Sequence, residues 1–199
     1  MRTFINGSLL LLLVVIVTAG CSLLDASERN PDQDQEVEQP DGVHENEVSP
    51  TPEEVEEPVK QEITFYYADD DLMDMYRVKQ DVEADEEDGL PKAALELWLQ
   101  GPEQEGLTNL TPPEVVIEKV EFIDGVAHVS FSQEIKNANL GSGGEAFLID
   151  QITLIMEQFG YDSTQILVNG EAEESILGHV TTSEPVSAPD SDSYEWYEE

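Results

Sequence analysis

Cysteine occurs once among the 199 residues, at Cys21. A lone thiol forms no intrachain disulfide and no CxxC pair, which excludes disulfide-stapled, zinc-ribbon and dithiol redox scaffolds. Positive charge is almost as scarce. Eight Lys and Arg stand against 45 Asp and Glu, a formal net charge of -37. Such a surface repels phosphate backbones, so nucleic-acid partners are set aside. Long hydrophobic runs are missing apart from residues 9–17 (LLLLLVVIV). At ~1.5 Å of helix rise per residue this run is too short to cross a hydrocarbon layer of ~30 Å, and it has the length of a signal-peptide core.

Arg2 precedes that run, and Thr18-Ala19-Gly20 lead directly into Cys21. Small residues before a cysteine resemble the lipobox of bacterial lipoproteins, with Thr18 where Leu or Val is usual. The resemblance implies that residues 1–20 leave as a signal peptide and that Cys21 carries a diacylglycerol. The expected location is the extracytoplasmic face of the cell membrane, with the membrane itself a partner through the lipid on Cys21. An uncleaved, marginal anchor is the alternative, and it too leaves the rest of the chain outside the cytoplasm.

The carboxylates are spread unevenly. Residues 22–61 hold 13 of them, interrupted by Pro31, Pro40, Pro50, Pro52 and Pro58, with no apolar periodicity. Charge without buriable surface does not offset the entropy of folding, so residues 21–61 are expected to be a lipidated Cys21 followed by a disordered acidic tether. A flexible chain of ~40 residues averages roughly 35 Å end to end. Residues 187–199, acidic and containing Pro189, are expected to be a disordered acidic tail.

Residues 62–186 carry the periodic apolar patterns. Ile63, Phe65 and Tyr67 alternate as in a half-buried strand, and Tyr76, Val78 and Val82 do the same in a second. Pro91 suits the first turn of a helix that Gly101-Pro102 stops. Asp124-Gly125 is suited to a two-residue type I′ turn, which pairs Phe122 with Ala127, Val120 with Val129, Glu121 with His128 and Lys119 with Ser130. The first two pairs form an apolar face and the other two a polar one. A second helix is expected over residues 144–159, with Leu148, Ile152, Ile155, Met156 and Phe159 as its stripe. Residues 166–168 give another strand, ended by Asn169-Gly170, and residues 176–180 a short edge strand. This order predicts an α+β fold: a two-layer sandwich of one mostly antiparallel sheet with two helices on one face, flanked by disordered acidic segments.

Several of these pieces together resemble the GerMN domain, the sporulation and spore-germination domain of bacterial envelope proteins. They are Phe65-Tyr66-Tyr67, Leu99-Gln100-Gly101-Pro102, Asp124-Gly125-Val126-Ala127-His128-Val129-Ser130-Phe131-Ser132, Thr153-Leu154 through Gln158-Phe159, Val168-Asn169-Gly170, and Leu177-Gly178-His179 with Ser183-Glu184-Pro185. Pro112-Pro113-Glu114 stands where a Pro-Gly turn is usual, and Ser130 where an Asp commonly precedes the final apolar-Ser pair. The resemblance covers roughly residues 62–186. It implies a module without catalytic residues or cofactor that holds envelope complexes together.

The residue types that carry chemistry point the same way. Asp69, Asp70, Asp71 and Asp74 cluster, but the spacing fails as an EF-hand, since the sixth place from Asp69 is Asp74 and the twelfth is Gln80. An acidic turn is the expectation. His128 and His179 have no second ligand at metal spacing, and His128 is expected to form a cross-strand ion pair with Glu121. His44 falls in the tether. Ser130 and Ser132 lack a nucleophile elbow and read as strand-end hydroxyls. Gly141-Ser142-Gly143-Gly144 lacks the Gly-Lys-Ser/Thr ending of a phosphate loop. The expected function is a lipid-anchored binding or scaffolding module, with an unidentified envelope protein or cell-wall component as partner. The competing readings are a wall hydrolase using two carboxylates, one with a raised pKa in a cleft, and an acidic cation-buffering protein.

Overall fold

The computed structural model describes residues 57–198; the expected signal peptide, Cys21, His44 and most of the expected tether lie outside the described residues. Strand β1 (Val59–Asp69) opens the fold and returns antiparallel as β2 (Met75–Ala84). Ile63, Phe65 and Tyr67 are buried on β1, as their alternation requires. Strand β1 begins before residue 62, because Val59, Lys60 and Gln61 pair with Ala84, Glu83 and Val82. The expected tether therefore ends inside a strand.

Helix α1 (Leu90–Leu99) starts with Pro91 in its first turn and buries Leu90, Ala94, Leu95 and Trp98, spaced four, one and three apart along one face. Its chain continues through Gly101, whose φ of 85° lies in the left-handed region that an L side chain disfavours. A two-residue strand, β3 (Leu107–Thr108), adds to the free edge of β1.

Strands β4 (Ile117–Ile123) and β5 (Val126–Phe131) form the expected hairpin. Asp124 and Gly125 have φ of 51° and 85°, the two positive values that a type I′ turn needs. All four pairs expected from the turn are observed. Ala127 and Val129 are buried, but Phe122 at the tip is 37% exposed and stacks on Tyr161 at 3.8 Å between ring centroids.

Helix α2 (Ser142–Glu157) crosses from β5 to β6 (Ser163–Val168), which lies parallel to β5. Parallel neighbours need a long crossover, and the helix supplies it. Strands β7 (Glu171–Ala172) and β8 (Val186–Ser187) share the outer edge of β6, both antiparallel. Residues 176–180 form no strand, for a reason that lies in Glu145.

The fold is α+β with two helices and mostly antiparallel pairing, but its strands form two sheets where one was expected. One sheet runs β3-β1-β2 and then β9 (Glu195–Trp196); the other runs β4-β5-β6-β7 with β8 beside β6. Each hairpin lies in its own sheet, with β3 and β9 at the outer edges of the first and β4 at an edge of the second. Helix α2 packs against β1, β6 and α1, which is why it buries residues on several sides, including Gln151, Thr153 and Leu154. Across the helix pair, the Trp98 indole N–H donates to Gln151 Oε1 at 3.0 Å inside the core. That bond satisfies the polar handle of a fully buried indole.

The expected disordered tail is a second correction. Residues 191–193 form a helical turn, and β9 lies parallel to β2 with Tyr76 opposite Glu195 and Arg77 opposite Trp196. Acidic composition suggested a solvated segment, yet Tyr194, Trp196 and Tyr197 supply the apolar surface that docks it.

Candidate functional site: a strand-accepting edge

The acidic cluster is a turn. Asp69 Oδ1 accepts from the N–H groups of Met73 at 2.7 Å and Asp74 at 3.3 Å, while Leu72 takes the left-handed conformation at φ 55°. Among the described residues no group of three His, Cys, Asp or Glu is placed to hold a metal ion.

His128 does sit opposite Glu121, but the ion pair differs from the expected one: Glu121 is taken by Lys119 at 2.7 Å. Ser130 turns inward. Its hydroxyl donates to Glu118 at 2.7 Å and accepts from the Gly170 N–H at 2.8 Å, tying β4 and β5 to the turn after β6. Ser132 accepts from the Val116 N–H at 3.1 Å. Both hydroxyls are engaged in holding strand ends. At the start of α2, a Cβ on Gly144 would meet Leu140 Cβ at 3.1 Å, so the glycine permits close approach of the preceding loop.

Glu145 is the buried carboxylate that the sequence pattern did not reveal. It is 0% exposed, and it accepts from Ser175 Oγ (2.9 Å) and from the N–H groups of Leu177 (2.8 Å), His179 (2.8 Å) and Val180 (3.3 Å). Burial alone would favour its neutral form; the Leu177, Ser175, His179 and Val180 donors outweigh that and hold its carboxyl below the ordinary range. The loop therefore gives its amides to a side chain, not to a neighbouring strand. Ser142 three places before Glu145 has the spacing of a capping box, but Gly141 is the N-cap and Glu145 reaches the 175–180 loop instead. An anion held ionised in this way is unsuited to be the protonated acid of a glycosidase.

Asp150, on the same helix, is shifted the other way. Burial raises its pKa, partly offset by the Tyr194 hydroxyl, which donates to it at 3.3 Å. Tyr194 is in turn pushed up to about 12 by burial and then by the charge of Asp150. Asp150 thus lies beneath the docked C-terminal segment.

That segment lines a groove of about 740 Å³ with Tyr76, Arg77 and Leu107. The Tyr197 N–H donates to the Arg77 carbonyl at 3.0 Å, so this carbonyl points away from β1. Backbone direction alternates along a strand, and Lys79 and Asp81 turn their amide groups toward the same edge. Trp196 lies over the Arg77 guanidinium at 4.5 Å and near the Lys79 ammonium at 5.6 Å. Tyr194 meets Tyr66 edge to face at 5.6 Å, and Tyr197 meets Tyr76 at 6.4 Å while donating its hydroxyl to the Glu105 carbonyl at 2.9 Å. Arg77 is the centre of the site. Its Nη1 reaches Asp192 at 3.3 Å, whereas its Nε is buried without a partner.

The model of the Germane family, described as "Sporulation and spore germination", matches residues 64–174. The chain belongs to the Germane family. Its fold is similar to the tandem GerMN domains of the sporulation protein GerM from Bacillus subtilis, at 24% identity and a TM-score of 0.52, covering 65% of this chain and 46% of that one. It is likewise similar to the first GerMN domain of that protein alone, at 24% identity and a TM-score of 0.51, covering 64% of this chain and 97% of the other. No curated protein matches the chain by sequence. This Germane domain thus spans about half of the tandem structure and nearly all of the single domain. The region matched by the family ends at residue 174, before β8 and β9.

Proposed function

We propose that this Germane domain is a lipid-anchored binding module on the extracytoplasmic face of the membrane, holding another envelope protein in place during sporulation or germination. The observation that carries the reading is the edge of β2, which pairs with an extended segment of polypeptide. Such an edge offers main-chain donors and acceptors in strand register, a pattern complementary to a peptide and not to a glycan. The anchoring rests on Cys21 and the short apolar run before it. Glu145, kept ionised by its donors and tied to the 175–180 loop, is not the protonated acid that wall hydrolysis needs.

The test is complementation in the cell of origin. Loss of the chain should lower the yield of spores that germinate, and the wild-type chain should restore it. Cys21→Ala should leave the membrane pellet and fail to restore the yield. Restoration by a Cys21→Ala chain found in the soluble fraction contradicts the anchored reading.

A further inference from the structure

We infer that residues 191–198 are an intramolecular ligand, occupying the β2 edge that accepts a partner's extended peptide bearing an aromatic side chain and a neighbouring carboxylate. The inference rests on the binding-module reading and names its ligand chemistry and its regulation.

The docked tail displays what the edge recognises. Its backbone lies parallel to β2, its indole covers Arg77 and Lys79, and its Asp192 reaches Arg77. A cationic pair under an aromatic ring, beside open strand groups, selects for aromatic and acidic residues together. This is the chemistry of Ser191 to Glu198 itself.

The tail is also held incompletely. It pairs with β2 through only two residues, Asp192 is 89% exposed, and Trp196 remains 43% exposed. Arg77 Nε has no partner, so the guanidinium engages a carboxylate through one nitrogen although its planar fork can serve two. Asp192, Glu195 and Glu198 bring three negative charges to a site with two cations, Arg77 and Lys79. A peptide that continued along Lys79 and Asp81 and set one carboxylate in the plane of Arg77 would make the bonds the tail leaves unmade. The tail therefore acts as a competitor that a matching partner displaces. The tail lies beyond residues 64–174, which the family model matches.

The experiment uses the full chain and a fluorescein-labelled peptide of residues 190–198, followed by anisotropy. In a Tyr194→Ala/Trp196→Ala chain, whose own tail is weakened, the peptide should bind about tenfold or more tightly than in wild type, since affinity scales with the fraction of open sites. Adding Arg77→Ala should reduce that binding about tenfold while thermal unfolding stays cooperative. A one-to-one complex with a monomer in sedimentation supports the inference. Equal binding to wild type and tail variant, indifference to Arg77→Ala, or a tail-exchanged dimer that the peptide does not dissociate overturns it. Failure here with Cys21-dependent complementation intact leaves an anchored module whose binding surface lies away from the β2 edge.

Discussion

The Tyr197 backbone N–H donates to the Arg77 carbonyl at 3.0 Å, which stitches the end of the chain to the second strand of the domain. The bond belongs to a small parallel ladder whose side chains, Trp196 on Arg77 and Tyr194 on Tyr66 and Asp150, reach β1, β2 and α2 at once. A segment that touches three elements through aromatic surface is ordered despite its charge. Yet the ladder is short and its rim is wet, so it should open without the rest of the fold.

Glu145 should be the most sensitive carboxylate in the domain. Glu145→Gln removes the charge that orders residues 175–180 and turns one acceptor into a donor facing donors. A loss of about 3 kcal/mol is expected, or roughly 10 °C in Tm. The sign with pH follows from its depressed folded value: the stabilisation is present above the ordinary carboxylate range and is lost as pH falls through that lower value. Thermal melts of both chains from neutral to acid pH should show the gap closing on acidification. A gap that widens in acid contradicts the account.

The N-terminal boundary makes a second prediction. A chain beginning at Glu57 keeps the pairs Val59 with Ala84, Lys60 with Glu83 and Gln61 with Val82; one beginning at Glu62 loses them. Each cross-strand pair contributes about 0.2–1 kcal/mol, so the shorter chain should fold cooperatively but be about 1–2 kcal/mol less stable in urea. Equal midpoints would show that the first three residues of β1 contribute nothing.

Salt should stabilise the domain. Residues 62–184 hold 27 acidic side chains. The cations Lys60, Arg77, Lys79, Lys92, Lys119 and Lys136 are each already paired with a carboxylate. Exposed pairs contribute only about 0–1 kcal/mol, so screening them removes less than it gains by relieving the surplus repulsion. Tm is expected to rise with NaCl, and Ca²⁺ at matched ionic strength should add only a small, non-saturating increment. A saturable effect of micromolar Ca²⁺, lost in Asp70→Asn or Asp71→Asn, would assign a site to the acidic turn.

Local rules were legible where the backbone left one solution. Asp124-Gly125 fixed a hairpin register that the structure reproduces pair by pair, and Asn169 and Gly170 take the paired positive φ of the same turn. Pro91 and Gly101 marked the ends of α1 for equally local reasons. What depends on distant partners was hidden. The apolar run at residues 176–180 reads as a strand, because nothing nearby shows that its amides go to a carboxylate on α2. The division into two sheets depends on which distant strands pair, and two of those strands, β3 and β9, are only two residues long. The tail's average composition is acidic and reads as solvated, while three aromatics among four consecutive residues, Tyr194 to Tyr197, carry the docking signal.

The β2 edge opens to a peptide only if the tail leaves while the domain stays folded. Amide hydrogen exchange on the full chain, read at Tyr197 and at Phe65 in the centre of β1, tests it directly. Tyr197 should exchange by a local opening, much faster than Phe65, and Trp196→Ala should speed Tyr197 further without changing Phe65. If Tyr197 and Phe65 exchange at the same free energy, the tail leaves only on global unfolding, and the edge is not a binding site in the folded protein.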